Sequence, residues 1–159
     1  MDTLKELYKI GSGPSSSHTM GPQRAAKRFK EKNPNAASYR CTLYGSLAAT
    51  GKGHLTDYII EKTIEPKKVE FIWRDDINPE FHPNGMMLEA LDESGNAFDE
   101  WTVFSVGGGT LAEEGKRNQL DGKVYYEHSK LDDIIAYCKE NDKSFVEYVL
   151  DREDDDFLE

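Results

Sequence analysis

Twelve residues near the start of the chain, Gly11-Ser12-Gly13-Pro14-Ser15-Ser16-Ser17-His18-Thr19-Met20-Gly21-Pro22, constrain its fold more than any other stretch. Three glycines and two prolines keep a regular strand or helix from running through it as far as Ser17. Glycine tolerates positive φ, and proline lacks an N–H and fixes φ. Between the prolines stand four hydroxyls and one imidazole. A helical pattern begins near Gly21, and its free N–H groups would aim back at them. This is the layout of a pocket for a small anionic group. Composition alone favours a flexible Ser/Gly linker, but a linker has no use for His18 and Thr19 directly before a helix start.

At 159 residues the expectation is one domain, 1–150, with a core that needs no staples and a tail or linker start at 151–159. A net charge of −10 disfavours nucleic acid and anionic membrane as partners. Cys41 and Cys138 stand far apart without CxxC or CxxH spacing, which points to a reducing compartment and to no metal site built within the chain. With no apolar run of spanning length and no signal-peptide core, the expected location is the cytoplasm.

Residues 3–10 read as a short helix. Gly21 to Lys32 reads as an amphipathic helix with Pro22 in its first turn, Ala25, Ala26 and Phe29 inward, a solvated basic face and a stop at Asn33-Pro34. Ser38 to Tyr44 alternates as a strand with Cys41 in the core. In Gly45 to His54 the Gly51-Lys52 pair resembles a phosphate loop, but the position after the lysine is Gly53 rather than Ser or Thr. A helix from Leu55 to about Lys62 would bury Leu55, Tyr58 and Ile59. Val69 to Trp73 reads as a strand, Asn84-Gly85 as a tight turn after His82-Pro83, and 86–91 with 98–105 as a meander joined at 92–96. A Gly-rich loop at 106–110, a turn at 118–122, a short strand at 124–126, helices at 131–139 and 145–150 and an acidic tail complete the chain. His128 has no loop of this kind around it and reads as structural. The fold class is mixed α/β, a largely antiparallel sheet of four or five strands with helices on one side.

Four motifs in order, GPSSSHTMGP, LYGSLAATGKGH, FHPNGM and SVGGG, resemble the beta portion of the iron-sulfur-dependent bacterial L-serine dehydratases over about Ile10 to Gly109. The resemblance implies conversion of L-serine to pyruvate and ammonia, with a 4Fe-4S cluster whose cysteines belong to the family's alpha portion, the expected partner of this chain. It also implies likeness to the allosteric substrate-binding domain of phosphoglycerate dehydrogenase. Elimination from serine needs its α-proton removed, a task for a base with a pKa near neutrality. By carry-over from the motifs, His54 would transfer that proton and His82 would orient or assist, the order between them being open. Ser15, Ser16, Ser17, His18 and Thr19 would bind the substrate carboxylate, with polar contacts from Ser46 and Asn84. The interval from His54 to His82 is shorter than in the family, which points to a missing outer strand or excursion. The same resemblance admits a non-catalytic module that senses L-serine or another small acid, and a homodimer is compatible with either reading.

Overall fold

Five strands form one sheet in the computed structural model, which describes residues 13–115 and 125–154 together with Leu4, Gly11 and Phe157. They are β1 (Ser38–Tyr44), β2 (Val69–Arg74), β3 (Gly85–Leu91), β4 (Ala97–Gly107) and β5 (Thr110–Ala112), in spatial order β2-β1-β3-β4-β5. Only β1 and β2 run parallel; the other neighbours are antiparallel. A parallel pair needs a crossover, and this one is built from α2 (Gly45–Thr50) and α3 (Thr56–Ile64). The fold class is therefore the expected one.

Side-chain alternation decides which sheet face is covered. Tyr39, Cys41 and Leu43 share a face with Met86, Leu88, Ala90 and Val103, and there they pack with Ala25, Ala26 and Phe29 of α1 (Gly21–Lys32) and Ile59, Ile60 and Ile64 of α3. The opposite face of the same strands is polar: Arg40 stands in register between Glu70 and Glu89 and pairs with both. Pro22 opens α1, and Asn33 caps it, its N–H bonded to Phe29 O and its side chain to Asp99. The basic face of α1 is more engaged than a solvated face would be. Lys30 donates to the carbonyls of Thr63 and Glu65, and Lys32 pairs with Asp99.

Several expectations need correction. Helical structure begins earlier than Gly21, because Ser16–Met20 form one π-helical turn capped by Ser15, whose side chain accepts from His18 N. The N–H groups of Thr19, Met20 and Gly21 are thereby spent on Ser15 O and Ser16 O, so α1 does not offer them to a ligand. The inward face of α3 is Thr56, Ile59, Ile60 and Ile64, while Leu55 and Tyr58 are exposed. The helix starts one residue later, after Leu55 has turned into the left-handed region at φ 60°, and this rotates the buried stripe. Asn84-Gly85 is no hairpin turn: Gly85 opens β3, whose neighbour is β1 rather than β2. The Gly107, Gly108 and Gly109 loop, all at positive φ, closes a hairpin onto β5, a strand not foreseen.

The residues divide into two compact units, Gly11–Asp121 with the sheet, and Met1–Ile10 with Gly122–Glu159. In the second unit α4 (Leu131–Glu140) and α5 (Phe145–Leu150) carry a small core of Tyr126, Cys138 and Tyr148, and Ser144 and Glu147 make a reciprocal cap on α5. Tyr125 and Tyr126 are irregular rather than extended in a strand. Beyond α5, Glu153 is buried and accepts from Tyr126 Oη and from Leu4 N. The predicted helix at 3–10 and turn at 118–122 lie outside the described residues, Leu4 apart. Among the described residues no helix is long and apolar enough to cross a membrane.

Candidate functional site

Antiparallel pairing puts the end of β1, the start of β3 and the end of β4 at one edge of the sheet unit: Leu43 is opposite Met86, and Gly85 opposite Phe104. The loops leaving these ends carry the motif residues. Gly45 holds φ 49°, and a methyl group on it would stand 2.6 Å from Pro83 O, so glycine is needed for this close approach. Ser46 N then donates to Pro83 O at 2.9 Å, which sets Ser46 beside the His82-Pro83-Asn84 segment.

His18 is at the centre. Its Nδ1 lies 3.0 Å from Ser17 Oγ and 3.5 Å from Ser15 Oγ, and its Nε2 lies 3.2 Å from Ser46 Oγ. Its ring is 4.7 Å from that of His54, centroid to centroid, and tilted by 36°. Burial, and after it the nearby His54, hold the His18 imidazole below its ordinary value, against an opposing pull from Ser46. His54 Nδ1 lies 3.0 Å from Thr50 O. A carbonyl only accepts, so Nδ1 carries the hydrogen, and in the neutral ring the lone pair is on Nε2. His82 has the opposite arrangement: Asn84 N donates to its Nδ1 at 3.1 Å, leaving Nε2 to carry the hydrogen.

The remaining predicted residues separate by exposure. Ser16 is exposed on the turn and Ser15 and Ser17 are half-buried. Thr19 is 1% exposed, and its hydroxyl accepts from Ser15 N, so it holds the turn from inside. Asn84 is buried, with its amide donating to Ser105 O and its carbonyl accepting from Ser105 N. His128 belongs to the other unit, where its Nδ1 is 3.0 Å from Tyr148 Oη and its ring lies against Tyr137.

Two hydroxyl residues at this edge escaped the sequence reading. Thr56, fully buried, donates its hydroxyl to His18 O at 2.6 Å and so ties the serine turn to the start of α3. Ser105, 0% exposed, has an Oγ without a hydrogen-bond partner and packs against Gly21. A lone threonine after a loop carries no sequence signal, whereas Ser105 stands inside the SVGGG motif and was legible as part of it. Apolar side chains border the histidines: Leu55 (48% exposed) follows His54, and Phe81 (42% exposed) precedes His82. Among the described residues no group of three or more His, Cys, Asp or Glu could hold a metal ion. Cys41 is buried in the sheet core, where desolvation pushes its thiol up, away from the thiolate form a metal needs.

Residues 3–70 and 60–116 match the family described as serine dehydratase beta chain. The chain is 28% identical over 197 residues to L-serine dehydratase of Haemophilus influenzae, covering 96% of this chain and 43% of the relative. It is 31% identical over 194 residues to the L-serine dehydratase of Helicobacter pylori and 27% identical over 197 to L-serine dehydratase 1 of Escherichia coli, in each case covering 43% of the relative. The chain thus spans less than half the length of these relatives. The alignments are longer than the chain's 159 residues, so the relatives carry residues it lacks. The two stretches of family match meet at 60–70, inside the short interval between His54 and His82. With the match covering well over half of its residues, the chain belongs to the serine dehydratase beta-chain family.

Proposed function

We propose that this chain is the beta portion of an L-serine dehydratase, supplying substrate-binding and proton-transfer groups for the deamination of L-serine to pyruvate and ammonia. The observation that carries the reading is the meeting of His54 with the serine-rich turn through His18. In this reading the turn residues Ser15, Ser16 and Ser17 bind the substrate carboxylate, and Thr19 keeps the turn in shape. His54 accepts the α-proton on Nε2, because its Nδ1–H is committed to Thr50 O. His82 presents an N–H at Nε2 and so orients rather than abstracts, with Asn84 fixing its tautomer. Ser46 bridges the two loops.

A 4Fe-4S cluster does not fit the donors of this chain. Cys41 and Cys138 are both buried, each in the core of a different unit. The cluster is therefore proposed to belong to the portion of the enzyme that corresponds to the rest of the relatives' length, and departure of the hydroxyl is assigned to no residue described here. The exposed Leu55, Tyr58, Ile77 and Phe81 suit a surface covered by such a partner.

The test is steady-state kinetics of the chain mixed anaerobically with its cluster-bearing partner. The chain alone is expected to form no pyruvate, the mixture to form it, and His54→Ala to lower kcat by at least about 10²-fold, the lower end for a lost positioned base. His128→Ala is expected to stay near the parent rate. If His54→Ala keeps most of its kcat, or if the isolated chain binds L-serine fully and never gains activity, the reading as a regulatory serine-binding module replaces this one.

A further inference from the structure

His18 differs from the other imidazoles at this edge in having a hydroxyl at each ring nitrogen, Ser17 Oγ at Nδ1 and Ser46 Oγ at Nε2. A hydroxyl donates or accepts as required, so this pair of partners satisfies a neutral ring in either tautomer. Among the described residues the His18 ring bonds only to hydroxyls and to no carboxylate, and of these only Ser46 pulls toward the cation. The π-helical turn packs against α1, α3 and β4. From the segment before α3 the facing titratable group is His54. From α3 itself the neighbour is Thr56, from α2 it is Ser46, and at the contact of α1 with β4 it is Gly21 against Ser105. Of these, only His54 can become a cation, and it would bring a like charge to 4.7 Å. The asymmetry between the two rings is geometric. His54 keeps its Nδ1–H bond to Thr50 O whether or not Nε2 takes a proton, whereas a second charge on the half-buried His18 would sit against the first.

From this we infer that His18 is a positioning residue that stays uncharged, holding Ser46 and His54 in place, so that the two imidazoles bear at most one positive charge, which forms on His54 when its free Nε2 takes up a proton. The inference rests on the reading of His54 as the proton acceptor of the site. It changes the part expected of His18: the substrate carboxylate would meet a neutral N–H or hydroxyl array at the serine turn rather than a cationic imidazole. It also gives Ser46 a definite task, to keep the His18 ring aligned from the opposite side.

The experiment is an NMR titration of the ring nitrogens in the full chain, from roughly pH 5 to 8, the range in which imidazoles change charge. His18 is expected to remain neutral to a pH below the ordinary imidazole value of about 6.5. His54→Ala should raise the proton affinity of His18 by at least about threefold, whereas His18→Gln should leave that of His54 nearly unchanged, because His18 is neutral while His54 takes up its proton. Ser46→Ala should shift the Nε2 signal of His18 while leaving the backbone amide spectrum in place, an effect a purely structural serine would not produce. If His54→Ala does not fold, His54→Gln serves the same comparison. A His18 that titrates at or above the ordinary imidazole value of about 6.5, or a His18 titration that ignores His54→Ala, would overturn the inference. No pyruvate assay enters, so an inactive reconstituted enzyme with coupled histidines sinks the dehydratase reading alone, and uncoupled histidines in an active enzyme sink only this one.

Discussion

Gly21 lies so close to Ser105 that a methyl group on it would stand 2.0 Å from the Ser105 hydroxyl oxygen and 2.8 Å from its β-carbon. This contact seats the start of α1 on the end of β4, and through Ser105 it reaches the Asn84 segment. Gly21→Ala is expected to lower stability by roughly 1–3 kcal/mol, the range for overpacking a tight interior. Ser105→Ala removes a buried hydroxyl that has no partner, so it should be neutral or slightly stabilising. Because the β-carbon of residue 105 also crowds the site, Ser105→Gly should rescue Gly21→Ala better than Ser105→Ala does. Urea unfolding of the three single and two double variants measures this coupling directly; additive effects would contradict it.

Asp99 accepts from Lys32 and from Asn33, and these bonds, Lys32's first, hold its carboxyl below the usual range. A carboxylate whose folded pKa is depressed adds stability above its unfolded pKa of about 3.9 and loses it as pH falls through the folded value. Asp99→Asn should therefore flatten the fall in unfolding midpoint below about pH 4 and change the neutral-pH midpoint modestly, since Lys32 is exposed. An unchanged acid limb would show that the pair contributes nothing.

Glu153 takes two donors on one oxygen, Tyr126 Oη and Leu4 N, in a buried setting. Glu153→Ala strands both donors and should destabilise the unit of α4 and α5 by roughly 2–3 kcal/mol. Glu153→Gln retains an acceptor oxygen and should be milder. Limited proteolysis reads the difference: cleavage in 125–154 should accelerate in the alanine variant while 13–115 stays protected.

Cys41, raised by burial, should resist alkylation at pH 8 in the folded chain and react promptly in denaturant. Mass spectrometry after a timed pulse of iodoacetamide distinguishes it; rapid native labelling would place the thiol elsewhere than under α1 and α3.

Elements with local punctuation were readable in advance. β1 has the boundaries that alternation indicates, α5 covers the 145–150 read for it, and α1 runs from Gly21 to Lys32 as its proline and Asn-Pro stop suggest. What escaped depends on partners distant in sequence. Asn84-Gly85 has the letters of a tight turn, yet β3 pairs across β1, so no hairpin forms there. The buried stripe of α3 was displaced by the left-handed Leu55, a conformation that a leucine does not advertise. At the site, the serines and histidines were legible because they cluster in glycine-rich motifs. The tautomers of His54 and His82 were not, since they follow from Thr50 O and Asn84 N, backbone groups that every residue possesses.

The bond from Leu4 to Glu153 joins positions 149 apart in sequence. The sheet unit is encoded without interruption by residues 11–121, whereas the other unit draws on both ends of the chain. During synthesis the sheet can therefore complete its pairing while the ribosome is still adding α4 and α5. Leu4, made before the sheet, must wait for Glu153, made after it.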